Sequence, residues 1–227
     1  MNDRGGTGQS RFRHRFLDVL ASIYIYNEYR GYTSLDRVIE AVRLRCPDDQ
    51  GFTAAIEKHR GDERKHYMMF RRWFELQGRM PLKVDRTCGH IDRFIERVFG
   101  CPIEGLDTTS VVRDADQFEK LCRVIMLTEQ RGVRQVEILL NNRHIRSDPI
   151  MTRIFAIVQK DEPDHWLPYH AWLTQNGRVT ARWRERWADY WIHKSLMLAK
   201  LPALFLNPDA PRLAQWPDEA AGVYAAG

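Results

Sequence analysis

The chain has 227 residues, 44% of them apolar and with a net charge of +5, so it can bury one sizeable core, and its mild charge selects no partner by itself. No apolar run approaches the ~20 residues of a membrane span, and the polar, arginine-bearing start from Met1 to Arg15 lacks the apolar stretch and cleavage site of a secretion signal. The four cysteines (Cys46, Cys88, Cys101 and Cys122) form no Cys-x-x-Cys pair, which excludes a rubredoxin-type iron site or a zinc ribbon and fits inert thiols in a reducing cytoplasm.

Strand signals are scarce, and apolar residues recur every three or four positions with charges between them, so the expected fold is all-α. The first helix is expected from about Arg11 to Arg45, bent at Gly31, recapped by Ser34 and stopped by Cys46-Pro47-Asp48-Asp49. The second spans about Gly51 to Gln77 and ends before Gly78 and Pro81. A connection from Gly78 to Asp114 follows, with a short helix near Ile91 to Phe99 closed by Gly100 and Pro102. The third long helix starts around Ala115 and ends at Asn141-Asn142. The fourth starts at Ser147-Asp148-Pro149, an N-cap followed by proline, and is expected to break near Pro168. Beyond Thr174 the character changes: Arg178 to Lys200 is a basic, tryptophan-rich helix, and the tail after Leu206 is rich in proline and alanine. The domain division is therefore 1–173 for the helical body and 174–227 for an extension.

One long-range echo stands out. Asp62-Glu63-Arg64-Lys65-His66 and Asp161-Glu162-Pro163-Asp164-His165 are both Asp-Glu-x-x-His, and the other six of the eight histidines lack a Glu three positions earlier. Residues three apart share a helix face, so each Glu and His can address one metal ion or two adjacent ones. A site of this kind also needs one lone Glu from each of the remaining helices. Glu28 lies 35 residues before Glu63, and Glu129 lies 33 before Glu162. In the second hairpin both partners are then about 20 Å from the turn at 1.5 Å per residue. Glu137 is too near the turn to match. A set of four carboxylates and two imidazoles suits a pair of iron ions best, over zinc or manganese.

The pattern Glu…Asp-Glu-x-x-His…Glu…Asp-Glu-x-x-His resembles the ferritin-like di-iron carboxylate superfamily, over about Ser10 to Trp172. The resemblance implies a four-helix bundle with a long crossover between its second and third helices and a C-terminal helical extension. It implies two iron ions held by Glu28, Glu63, His66, Glu129, Glu162 and His165, with Asp62 and Asp161 orienting the ligating histidines through their second nitrogens. Pro163 departs from a regular helix inside the fourth-helix motif and should kink or bulge it. Tyr24, one turn before Glu28, is either a core tyrosine or a phenol acting beside the ligands. His59, one turn before Glu63, is either a surface group or a second-shell one.

Such sites use O2, and three uses are compatible with the chain. The leading expectation is an oxygenase or oxidase of the hydroxylase type, fed by an external reductase because the chain has no flavin, iron–sulfur or rubredoxin signature. Its expected pocket is lined by Tyr24, Ile25, Phe70, Ile125, Met126, Phe155, Val158 and Trp166 and takes a small organic substrate, lipid- or quinone-like. A tRNA base is the lesser alternative, suggested by Arg123, Arg131, Arg134 and Arg143 on the third helix. Ferroxidase or storage activity is disfavoured by the basic tail, and peroxide reduction by the missing rubredoxin cysteines. A monomer or small homo-oligomer is expected, in the cytoplasm or peripheral to the inner membrane. The stripe Trp183, Trp187 and Trp191 is expected to pack on the bundle, the alternative being an interfacial helix with Leu196 to Leu206 dipping into a membrane.

Overall fold

The computed structural model describes residues 5–219, with side chains from residue 11 onward. It is all-helical, and among the described residues the only β-type pairing is an isolated antiparallel bridge between Leu82 and Arg212. The helices are α1 (Gly5–Arg45), α2 (Gln50–Leu76), α3 (His90–Phe99), α4 (Thr108–Arg113), α5 (Ala115–Leu140), α6 (Arg143–Arg146), α7 (Pro149–Asn176), α8 (Trp183–Ser195) and α9 (Leu201–Leu206). A π-turn, Leu196–Lys200, joins α8 to α9. No helix is long and apolar enough to cross a membrane among the described residues.

Side-chain caps fix where the long helices begin. Asp49 accepts from the Phe52 amide, Asp114 from those of Asp116 and Gln117, and Asp148 from those of Ile150 and Met151. Each cap satisfies amides that have no partner within the helix and contributes about 1 kcal/mol. The other Asp148 oxygen accepts from Trp73 Nε1 at 3.1 Å, tying the start of α7 to the end of α2. Gly78 after α2 and Gly100 after α3 take positive φ (63° and 76°), a conformation that favours glycine.

Helices α1 and α2 pack as one hairpin and α5 and α7 as another, and the two meet along α2 and α7. Helices α1 and α5 stand apart. The gap is spanned by α3, which touches both, by α8 over α3 and α5, and by α9 against α1. Buried apolar side chains form two layers. One contains Phe52, Ile56, Phe118, Tyr169 and Leu173, and the other contains Phe70, Trp73, Phe74, Met151 and Phe155. Each such side chain contributes about 1.5–3 kcal/mol on burial. Between them in chain position, on α2 and α7, lie Glu63, His66, Glu162 and His165, so the polar layer is bounded by apolar ones along the helices.

Three expectations need correction. Helix α1 runs unbroken through Gly31, and Ser34 does not recap it, because its hydroxyl bonds back to the Arg30 carbonyl. Helix α7 runs unbroken through Pro163 and Pro168 to Asn176. An interior proline costs about 3 kcal/mol. The last turns are held past Pro168 by buried Tyr169 and Leu173 and by Trp172, which stacks on Phe52 and meets Phe118 edge-on at 4.9 Å. Finally, the tryptophan stripe of α8 does not pack on the body: Trp183, Trp187 and Trp191 are 70%, 53% and 47% exposed.

Candidate metal centre

The six residues singled out by spacing converge. One cluster brings donor atoms of Glu28, Glu63 and His66 within 4.8 Å of one another, and a second does the same for His59, Glu63, Glu129 and His165. Glu63 is common to both. Glu162 joins through Oε2, which lies 4.0 Å from His165 Nδ1. The set is buried, with side-chain exposures from 0% for the two motif histidines to 15% for Glu129. Glu137 is exposed and away from the cluster, as its depth along α5 required.

The aspartates pair across the helix interface rather than within their own motifs. His66 Nε2 lies 3.1 Å from Asp161 Oδ2, and His165 Nε2 lies 3.6 Å from Asp62 Oδ2. With the Nε2 proton directed at a carboxylate, each Nδ1 presents its lone pair inward, where His66 Nδ1 lies 3.3 Å from Glu28 and His165 Nδ1 lies 3.3 Å from Glu63. Lys65 bridges the two aspartates at 2.6 and 2.7 Å, and Lys58 adds a further contact to Asp62. The bond with His165, reinforced by both lysines, holds Asp62 far below the usual carboxylate range.

His59 is the residue that spacing left undecided. It is 1% exposed, its Nε2 lies 3.6 Å from both Glu63 Oε1 and Glu129 Oε1, and its ring stacks on His165 at 4.1 Å. Neither of its ring nitrogens has a hydrogen-bond partner. His59-x-x-x-Glu63 puts the two on one helix face, a signal present in the sequence but too common to decide inward from outward.

Two glycines make room for the carboxylates. A Cβ at Gly31 would collide with the Glu63 carboxylate, and one at Gly132 would sit 3.0 Å from both Glu162 oxygens. Clearance for the Glu63 carboxylate of the neighbouring helix therefore accounts for Gly31. Each glycine closes a Glu-x-Arg-Gly segment, Glu28 to Gly31 and Glu129 to Gly132, a second internal echo in the chain. The arginines of these segments turn outward to the covering helices. Arg30 forms a forked contact with Asp92 of α3, at 2.9 and 2.6 Å to Oδ1, and Arg131 Nε donates to Asp189 of α8 at 2.7 Å.

The electrostatics call for cations. Burial pushes Glu28 and Glu129 well above the carboxylate range, with repulsion from Glu63 adding to it, and raises Glu162 to about 8. Glu63 moves the other way: burial opposes ionisation, but the neighbouring His165 and His59 imidazoles outweigh it. Burial lowers His59 to about 4. Four buried carboxylates beside imidazole nitrogens and a Glu162 oxygen that lack hydrogen-bond partners fit two divalent cations, which would neutralise the charge and satisfy the orphaned donors.

The centre opens into a cavity of about 400 Å³ between α1 and α5. Leu20, Ile23, Leu35, Ile95 and Ile138 are among its apolar lining, while Glu28, Glu63, Glu129 and Glu162 form part of its wall. Of the side chains expected to line a pocket, Tyr24 and Ile125 do so. Ile25, Phe70, Met126, Phe155 and Val158 are packed in the core, and Trp166 packs against one of its layers, because they point into or along the tight α2–α7 side of the bundle. The Tyr24 hydroxyl is buried without a hydrogen-bond partner, and burial together with Glu28 and Glu162 strongly disfavours its ionisation. Two arginines of α5 are not a surface: Arg123 is fully buried against Glu185, and Arg131 is held by Asp189.

Comparisons of this chain with protein-family models, with curated proteins and with solved structures gave no match.

Proposed function

We propose that the chain is an O2-dependent non-haem di-iron oxygenase or oxidase of the ferritin-like four-helix-bundle type, acting on a small apolar organic substrate with electrons from an external donor. The observation that carries this reading is the convergence of buried carboxylates and lone-pair-bearing imidazoles from four helices on the wall of an apolar cavity. Glu28, Glu63, His66, Glu129, Glu162 and His165 would hold the two ions, with His59 as a seventh donor beside Glu63 and Glu129. When bound, the iron pair supplies reductive activation of O2.

The chain's own contribution is positioning and exclusion. Asp161 and Asp62 fix the tautomer of His66 and His165, Lys65 keeps both aspartates ionised, and the apolar layers keep water from the carboxylates. The cavity walls orient the substrate beside the carboxylate cluster. Tyr24 places a neutral hydroxyl at the cavity wall, one helical turn from Glu28. An apolar cavity of this size supports an organic substrate over ferrous ion or peroxide, neither of which needs one. Arg123 is buried and Arg131 is paired with Asp189, which leaves two of the four arginines, Arg134 and Arg143, exposed for a tRNA.

Protein produced with iron should carry about two ions per chain. With a chemical reductant it should consume O2 faster when an apolar substrate is added. Well-folded protein that takes up no metal would overturn the reading, and a large closed assembly accumulating ferric mineral would replace it with iron storage.

A further inference from the structure

Helix α8 has its polarity inverted. Its two acidic residues, Glu185 and Asp189, face inward, where they pair with Arg123 and Arg131 of α5. Its aromatic residues Trp183, Trp187, Tyr190 and Trp191 face out, and the last three touch one another, with Trp187 and Trp191 at 5.5 Å between centroids. At 100° per residue these four lie within one stripe that continues through Lys194 to Met197 and Leu198, the last 74% exposed. Arg184 and Arg186 are exposed on either flank. No acidic residue lies on this outward face between 183 and 206.

Beside the stripe runs a basic groove between α3, α5 and α8, lined by Arg97, Lys120, Arg178, Arg182 and Arg184 and bordered by Trp183 and Trp187. Behind the stripe, Leu196, Met197 and Leu201 form part of the wall of the cavity that contains the carboxylates. Phe12 of α1, 49% exposed, packs on Phe205 of α9 at 5.1 Å and extends the apolar surface past the end of the stripe.

We propose that this face docks on an anionic lipid bilayer, with the aromatic and aliphatic stripe in the interface and the basic groove against lipid phosphates. Tryptophan and tyrosine favour the bilayer interface, where one end of the ring is apolar and the other is wet, and flanking cations meet the negative surface potential. The stripe carries no acidic residue, and at the groove Glu185 is taken up by Arg123 and Asp116 by Arg182, which leaves Arg97, Lys120, Arg178 and Arg184 in excess. The occupant must supply negative charge, which argues against a second copy presenting the same cations. Aromatic residues with a basic groove also suit single-stranded nucleic acid, which stacks on them. Met197, Leu198 and Leu206 extend the stripe with exposed aliphatic side chains, which stacking does not use and an acyl layer does. Leu196, Met197 and Leu201 would then separate the bilayer from the cavity by a single helix, a short route for an apolar molecule.

The proposal does not depend on metal, so it is tested on full-length protein with and without added iron. The probes are vesicles of phosphatidylcholine alone, vesicles of phosphatidylcholine with phosphatidylglycerol, and a single-stranded RNA oligonucleotide. The protein should float with the anionic vesicles, with a blue shift of tryptophan emission, and much less with the neutral ones. Arg184→Gln with Arg186→Gln should lower partitioning by about 25-fold, at about fivefold per cation near the surface. Trp187→Ser with Trp191→Ser and Leu198→Ser should abolish flotation without shifting the unfolding midpoint, since all three side chains are exposed. Absence of flotation of wild-type protein on anionic vesicles, or undiminished flotation of the triple variant, would overturn the proposal. Binding of the RNA alone would assign the face to nucleic acid. Flotation by protein that binds no iron would leave the docking standing and remove the di-iron reading.

Discussion

The two halves of the molecule present the same letters to the centre and differ at buried positions around it, Tyr24 against Ile125 and His59 against Val158. Glu28-x-Arg-Gly and Asp62-Glu63-x-x-His66 in the first hairpin answer Glu129-x-Arg-Gly and Asp161-Glu162-x-x-His165 in the second. Both glycines clear space for a carboxylate, both aspartates reach the other hairpin's histidine, and both arginines anchor a covering helix. Four residues before the motif glutamate, however, the first hairpin has His59 and the second has Val158, each fully enclosed. The scaffold is a near-repeat, whereas the donor set is not. The cluster built on Glu63, Glu129 and His165 has a second imidazole, and the one built on Glu28, Glu63 and His66 has a single one. A repeated scaffold therefore does not guarantee equivalent metal positions.

That comparison can be broken most severely at the shared glutamate. Glu63→Ala removes the one residue common to both clusters, so it should abolish uptake of both ions, whereas Glu28→Ala should spare one; metal analysis of the purified variants reads the difference. The glycines come next. Gly31→Ala should displace Glu63, at an overpacking cost of about 1–3 kcal/mol, and lower metal content. Gly132→Ala should cost less, since its Cβ meets the Glu162 oxygens at 3.0 Å rather than colliding. Denaturant unfolding alongside metal analysis ranks the two.

His59→Val gives both halves a valine at this position. The protein should still bind two ions, but one of them more weakly, and the spectrum of a cobalt-substituted centre should move toward that of equivalent sites. An unchanged spectrum would place His59 outside the coordination sphere. The smallest effects are expected at the outer aspartates. Asp62→Asn and Asp161→Asn should keep the fold and each weaken metal affinity by about 10–100-fold, seen as earlier release to a chelator. Similar losses in both would show that the cross-paired arrangement works the same way in either direction.

Much of the centre was legible in the sequence because its strongest restraints are local. A Glu and a His three apart on a helix share a face whatever the helix packs against, and depth from a short turn fixes which lone glutamate can meet them. The depth rule selected Glu129 and discarded Glu137, whereas Glu28 matched Glu63 in depth only if Gly31 kinked the helix; both lone glutamates lie at the cluster. Caps were equally readable, because Asp148 before Pro149 satisfies the first amides of α7 without help from elsewhere.

What the sequence left open depended on helix rotation and on which faces remain uncovered. Ser34 and Pro168 carry the local signals of a cap and a break, but α1 and α7 run on through both, with Ser34, Tyr169 and Leu173 buried. His59 and a solvated histidine look the same until α5 brings Glu129 to within 3.6 Å. The pocket residues went astray for the same reason: the ligand helices pack tightly on the α2–α7 side and open between α1 and α5. In α8 the local pattern pointed the wrong way, since charges ordinarily face water and tryptophans face the core. Only the tertiary structure supplies Arg123 and Arg131 as partners for the inward-facing Glu185 and Asp189, and satisfying those charges turns the tryptophans outward.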